Sequence, residues 1–211
     1  MISQVYNSQI LVYFKMPVGT KITFPEGIFF ITITCYKWLP LIEITKSYEL
    51  VYKWFDHLKK NKHYIIGYQI MPNHLHAVIA FSNSGKNINT IIGNGKRYMA
   101  YGIIKQLEKS NQQKILVQLG HGVNNSDRMI GKLHEVWEDS FDWKDCRSRK
   151  IILQKLGYMH QNACRGKWEL VESPVDYIHS SAKYYITGVQ GLYNVTHFLE
   201  VEDIDLTAGE K

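Results

Sequence analysis

Apolar and polar positions follow two different periods along this chain, and the change from one to the other marks the predicted elements. Residues 28–35 are almost all β-branched or aromatic, which favours a buried strand. From Tyr48 to Leu58, apolar side chains recur every three or four positions and a basic run follows. This pattern predicts an amphipathic helix, with Thr45 as the candidate N-cap.

Two more strands are predicted on either side of a turn. Residues 63–70 and 74–81 are rich in apolar and β-branched side chains, and Met71-Pro-Asn73 separates them. Because proline has no N–H to donate to a central ladder, Pro72 belongs in the turn. An antiparallel hairpin is the expected result.

Three helices are predicted in the rest of the chain, over residues 87–108, 149–161 and 176–186, from apolar side chains at helical spacing. Residues 110–131 are rich in Asn, Gly and Gln, and we expect a long connection there, with a strand at 115–119 as an alternative. The order strand–helix–strand–strand–helix predicts an α+β fold with an antiparallel sheet.

Composition indicates one folded domain, because 211 residues with 45% hydrophobic side chains can bury a core. Apolar runs fall short of the roughly 20 residues that a membrane helix needs, and no signal pattern opens the chain, so a cytoplasmic protein is expected. Three widely spaced cysteines predict neither a disulfide framework nor a zinc site.

Charge is distributed unevenly along the chain. All but two of the 25 Lys and Arg residues lie within residues 1–168, whereas eight of the 19 Asp and Glu residues lie within residues 169–211. A basic body suits a polyanion such as DNA, because neutralised phosphates release counterions. A Lys-rich solvated surface explains the same charge equally well, and the acidic stretch 200–205 is expected to be a solvated end.

A pair of histidines provides the first candidate chemistry. On a strand, His74 and His76 project from one face while Leu75 projects from the other. Two neutral imidazoles side by side can share a divalent cation. With nine histidines in the chain, a chance pair remains the alternative.

A tyrosine on the predicted helix 149–161 provides the second. Residues four apart lie on one helical face, so Tyr158 and Asn162 are expected to point the same way. The Asn162 amide oxygen could be a third metal ligand while the phenol reaches a substrate. His160 should face away from Tyr158. The alternative is that Tyr158, one of 14 tyrosines, only packs.

Together these segments resemble a known family. Gly67-Tyr-Gln-Ile-Met-Pro-Asn-His-Leu-His76, followed by Tyr158-Met-His-Gln-Asn162, is similar to the HUH single-tyrosine transposases of insertion sequences, and more closely to REP-associated tyrosine transposases. Leu133-His-Glu-Val-Trp137 and Asp176-Tyr-Ile-His-Ser-Ser-Ala-Lys-Tyr-Tyr185 match further segments of that family. The resemblance extends over residues 28–186.

The resemblance implies a ferredoxin-like antiparallel sheet flanked by helices. It implies that His74, His76 and Asn162 hold Mg²⁺ or Mn²⁺, without a nucleotide cofactor. Tyr158 would attack single-stranded or hairpin DNA and form a 5′-phosphotyrosine intermediate. The chain departs from the family at Asn162-Ala-Cys-Arg165, where relatives read Asn-Pro-Val-Arg.

The catalytic domain is placed at residues 28–188, between an N-terminal extension (1–27) and an acidic tail (189–211). Five basic residues, in the predicted helix 87–108 and around the start of the predicted helix 149–161, are candidate DNA contacts. Each is equally well explained as a solvated side chain: Lys96, Arg97, Arg147, Arg149 and Lys150. No membrane partner is expected, and the sequence leaves monomer and homodimer open.

Two other functions stay open at this point. One is a domesticated relative that binds a DNA hairpin without cleaving it. The other is a metal-dependent hydrolase, in which the histidines activate water and Tyr158 only orients the substrate.

Overall fold

A four-stranded antiparallel sheet forms the centre of the protein. The structure is a computed structural model that describes residues 21–166 and 168–207, so most of the predicted N-terminal extension lies outside it. The strand order is β2-β3-β1-β4. The strands are β1 (Gly27–Thr34), β2 (Tyr64–Met71), β3 (His74–Phe81) and β4 (Asp142–Asp145).

Helices flank this sheet, which confirms the predicted α+β class. They are α1 (Leu41–Ile44), α2 (Tyr48–Lys60), α3 (Ile88–Lys109), α4 (Gln113–His121), α5 (Asn125–Met129), α6 (Arg149–His160), α7 (Ala182–Thr187) and α8 (Phe198–Glu202). The expected N-cap Thr45 instead donates its hydroxyl to Leu41 O at 2.6 Å, and Ser47 occupies the N-cap position of α2.

The two faces of the sheet receive different helices. On one face, the ring of Phe55 from α2 packs on Tyr68 of β2, with ring centroids 5.7 Å apart. On the other face, α6 lies over Gly67 of β2. A Cβ atom at Gly67 would stand 2.7 Å from Met159 Cε and still closer to Leu156 Cδ2. Glycine therefore allows α6 to approach the sheet closely enough to position its other side chains.

The outer edge of β2 is covered by the chain that follows α6. Residues 179–181 run antiparallel to β2 through an isolated bridge between Gln69 and Ser180. The outward backbone groups of β2 are hydrogen-bonded to this later segment. Two tyrosine hydroxyls donate to strand carbonyls: Tyr185 Oη to Ile66 O and Tyr177 Oη to Ile70 O. The other bonds are Tyr68 N to Ser181 Oγ, Ser181 N to Tyr68 O and Ile70 N to His179 O.

Residues 110–131 contain two helices, α4 and α5, so the expected long connection and the alternative strand at 115–119 are wrong. Leu116 and Leu119 of α4 are buried at helical spacing, and Asn124 caps α5 by accepting from Asp127 N at 2.8 Å. Interspersed Gln and Gly residues hid this short amphipathic period.

Strand β4 was not predicted, because it has four residues and two of them are aspartates, which strands disfavour. The expected helix over 176–186 is confined to Ala182–Thr187, since residues 179–181 pair with β2 instead.

The segment assigned to an acidic tail contributes to the core over its described part. Val195, Phe198 and Val201 are buried in the same hydrophobic cluster as the sheet. Glu200 and Glu202 of α8 are exposed, so the acidic residues lie on one side of a packed helix. Among the described residues, no helix is both long and apolar enough to cross a membrane.

Candidate metal and tyrosine site

His74 and His76 lie side by side on the face of β3 that α6 covers. Their ring centroids are 4.6 Å apart, and both side chains are buried. Strand alternation sends Leu75 to the opposite face, where it joins the hydrophobic core. The predicted placement of the two imidazoles on one face is therefore what the fold produces.

Hydrogen bonds at Nδ1 leave Nε2 of each ring as the atom that could bind a cation. His74 Nδ1 lies 2.7 Å from Asn73 Oδ1, and an amide oxygen only accepts, so the His74 proton resides on Nδ1. His76 Nδ1 lies 2.9 Å from the Thr32 hydroxyl of β1. Such partners fix ring orientation and tautomer in metal-binding histidines.

Burial keeps both rings in the neutral form that metals require. Desolvation lowers the pKa of His74 to about 4. It also lowers the pKa of His76 well below its ordinary value, and the nearby His74 and Lys155 lower it further. Neutral imidazoles offer a lone pair at physiological pH.

Tyr158 of α6 lies beside His76, and 51% of the residue is exposed. Its ring centroid is 5.7 Å from that of His76 and 6.2 Å from that of Phe30 on β1. Phe30 also stacks on His76 at 5.2 Å. The structure thus brings together two residues that are 82 positions apart in sequence, Tyr158 and His76.

Asn162 lies just beyond the helix that carries Tyr158. Helix α6 ends at His160, and Asn162 opens a separate 3-10 turn, so the regular α-helical spacing from Tyr158 does not extend to Asn162. Its metal-ligand role stays a prediction. His160 points away from Tyr158 as expected, fully buried with Nε2 2.8 Å from Ser181 Oγ.

Gln69 is a buried amide that was not predicted from the sequence. It pairs directly with His76 across β2 and β3, so the two side chains share a face. Gln69 is fully buried, and its Oε1 accepts no hydrogen bond in the structure. A lone glutamine inside the otherwise apolar stretch 65–71 was the sequence pattern that could have revealed it.

This donor set fits a divalent cation. No third His, Cys, Asp or Glu within 21–166 and 168–207 joins the histidines in a metal-binding cluster, so an amide oxygen is the available third ligand type. The orphaned Gln69 Oε1 is a buried acceptor that lacks a partner, and such an atom is costly unless something binds it. Asn162 and Gln69 are both candidates.

Three of the five predicted DNA contacts are engaged within the fold. Lys96 Nζ donates to Glu138 O at 2.8 Å, and burial lowers its pKa to about 8. Arg147 and Arg149 pair with carboxylates of Asp145 and Glu202, at 2.8 and 2.7 Å respectively.

The remaining two predicted contacts are exposed. Arg97 donates to Asn94 Oδ1 at 2.9 Å, and Lys150 lies in the first turn of α6. Contact of any of the five with DNA stays a prediction. The cation next to Tyr158 is a different residue, Lys155, which no sequence pattern had singled out.

No protein-family model matches this chain, and no curated protein matches it in sequence. Among solved structures, a REP-associated tyrosine transposase bound to a REP hairpin is similar, with 16% sequence identity and a TM-score of 0.48. The similarity covers 97% of this chain and 98% of that chain. Residue roles in this chain therefore rest on its own geometry.

Proposed function

We propose that the protein is a metal-dependent DNA strand transferase that cleaves and rejoins single-stranded or hairpin DNA through Tyr158. The observation that carries this proposal is the position of the Tyr158 ring beside His76, whose neutral Nε2 is available to a cation. A half-exposed phenol next to a metal site can reach a phosphate that the metal holds.

The chemistry follows from the phenol. Its unperturbed pKa is near 10, so Tyr158 is a weak nucleophile at neutral pH. A divalent cation held by His74, His76 and an amide oxygen would supply positive charge at the non-bridging phosphate oxygens. Two imidazoles and an oxygen suit Mn²⁺ better than Mg²⁺, which prefers oxygen ligands throughout.

In the proposed reaction, the Tyr158 oxygen forms a bond to phosphorus while the bond from phosphorus to the 3′ oxygen breaks. The phenol proton leaves, and the departing 3′ oxygen ends as a hydroxyl. Tyr158 then carries the 5′ phosphate as a phosphodiester. Attack by a 3′-hydroxyl reverses these bond changes and rejoins the strand.

Trp38 favours unpaired bases as part of the substrate. The residue is 56% exposed, and its indole meets His74 edge-on, with ring centroids 5.7 Å apart. Its backbone has a φ of 58°, an uncommon conformation for a bulky residue, and Asn73 Nδ2 donates to its carbonyl at 3.2 Å. An exposed indole held beside the site is a platform on which a single-strand base can stack.

The test is incubation with single-stranded and hairpin oligonucleotides and Mn²⁺ or Mg²⁺, followed by denaturing gels and peptide mapping. We expect a covalent adduct at Tyr158 that chelator, His76→Ala or Tyr158→Phe abolishes. DNA binding by Tyr158→Phe should persist. DNA hydrolysis that forms no adduct and is only slowed by Tyr158→Phe would favour the hydrolase. DNA binding by the wild type with neither cleavage nor adduct would favour the non-cleaving DNA-binding protein.

A further inference from the structure

Lys155 is a buried cation placed between two aromatic rings of the candidate site. Only 9% of the residue is exposed, and its Nζ stands 4.9 Å from the Phe30 centroid and 5.5 Å from the Tyr158 centroid. Lys155 precedes Tyr158 by one turn of α6, so both side chains leave the helix on the same side.

The charged groups around Lys155 include no carboxylate that pairs with it. In the described chain, no Asp or Glu oxygen lies within ion-pair distance of its Nζ. The ionisable neighbours that affect it are the Cys146 thiol and the Lys144 ammonium, both on the β4 side. Burial is the largest influence and lowers the pKa of Lys155.

Lys144 adds positive charge on the same face. It pairs with Phe30 across β1 and β4, so its side chain projects toward α6. The next carboxylate along that face is Asp142, which pairs with Thr32. Burying the Lys155 ammonium without a closely paired carboxylate is unfavourable unless an anion joins it.

We propose that Lys155 forms, together with the Phe30 and Tyr158 rings, a subsite for a phosphodiester group. Its ammonium binds a non-bridging oxygen of the phosphate that is presented to Tyr158. The identity of the anion as nucleic acid rests on the proposed function. The faces of the two rings attract the ammonium, so it is in position before the phosphate arrives.

The test measures binding without chemistry. Full-length Tyr158→Phe protein, with chelator present, is titrated with a fluorescent single-stranded DNA oligonucleotide at several salt concentrations. Lys155→Met and Lys155→Arg are added to this background. Lys105→Met, which removes an exposed lysine on α3, is the matched control for loss of one charge.

We expect Lys155→Met to weaken binding about tenfold relative to Lys105→Met, the size of one lost charged hydrogen bond. The slope of log affinity against log salt should fall by about 0.7, corresponding to one single-strand phosphate. Lys155→Arg should keep that slope. The thermal midpoint of Lys155→Met should be unchanged or higher, because an unpaired buried charge is replaced by an apolar side chain.

Equal affinity and equal slope for Lys155→Met and Lys105→Met would overturn the subsite, as would absence of DNA binding by the Tyr158→Phe protein. If Lys155→Met lowers the thermal midpoint but leaves the slope of log affinity against log salt unchanged, then Lys155 contributes only packing and the subsite is refuted. The adduct assay on wild-type protein separates the two proposals. Lys155-dependent binding without an adduct refutes strand transfer alone, whereas an adduct with Lys155-independent binding refutes the subsite alone.

Discussion

Adding a single methyl group at Gly67 should move Tyr158 away from His74 and His76. It lies on β2 beneath α6, and a Cβ there would stand 2.7 Å from Met159 Cε and 3.2 Å from Ser181 Oγ, with Leu156 Cδ2 nearer still. Carbon atoms pack best at about 3.5–4.0 Å. Leu156 and Met159 are themselves buried, so their ends have little room to turn aside, and we expect α6 to retreat by up to about 1 Å in Gly67→Ala. Overpacking of this kind costs about 1–3 kcal/mol of unfolding free energy.

The retreat should also affect activity, because α6 carries Tyr158. A displacement of about 1 Å between reacting groups can lower a rate by about 100-fold. We therefore expect Gly67→Ala to slow formation of the Tyr158 adduct by up to that factor. For a domain of this size, the thermal midpoint should fall by about 2–4 °C for each kcal/mol.

The assay compares Gly67→Ala with Gly93→Ala by thermal denaturation and by single-turnover adduct formation. Gly93 lies in α3 with no atom within 4 Å of the added Cβ, so alanine there should raise stability by up to about 1 kcal/mol. If Gly67→Ala matches the wild type in both stability and rate, then close packing of α6 on β2 does not position Tyr158.

Three further outcomes are expected. Thr32→Val, which preserves shape and removes the hydroxyl beside His76 Nδ1, should weaken Mn²⁺ binding at least tenfold by calorimetry, and unchanged affinity would exclude this orienting role. His160 is fully buried, and its folded-state pKa of about 3 lies below the ordinary 6.5, so the unfolded chain binds the proton first. Stability should therefore be lost as the pH falls from about 6.5 toward 3, by about 1.4 kcal/mol per pH unit from this residue. Urea midpoints of His160→Gln should show a shallower pH dependence than those of the wild type, and identical slopes would contradict the assignment. Ending the chain after Gly188 should lower the thermal midpoint, because buried apolar side chains such as Phe198 each contribute about 1.5–3 kcal/mol, and an unchanged midpoint would show that this segment is dispensable.

The central hairpin and the long helices could be predicted because their side-chain periods are strong and local. The strand at 74–81 matches β3 at both ends, and the helix predicted over 149–161 differs from α6 by one residue. Strand β4 depends on pairing with β1 rather than on its own composition, so no local pattern could reveal it.

Some features of the candidate site could likewise be predicted from local sequence patterns, whereas others depend on tertiary structure. Strand alternation alone placed His74 and His76 on one face, but their hydrogen bonds to Asn73 and Thr32 depend on tertiary structure. Gln69 and Lys155 stand in sequence contexts that look like ordinary strand and helix positions. Only the cross-strand register and the packing of α6 bring them to the site.

The covered edge of β2 has a consequence for how copies of this protein can meet. A bare edge strand offers unpaired N–H and C=O groups that recruit strands from other molecules, and proteins that leave one open risk aggregation. Here the outward groups of Ile66, Tyr68 and Ile70 are already bonded to the chain's own later residues. A second copy cannot extend the sheet from this side without first displacing residues 179–181. The same chain segment bonds β2 and contacts His160 of α6 through Ser181. Detachment of residues 179–181 would therefore loosen α6 and, at the same time, expose an unpaired edge strand that can aggregate.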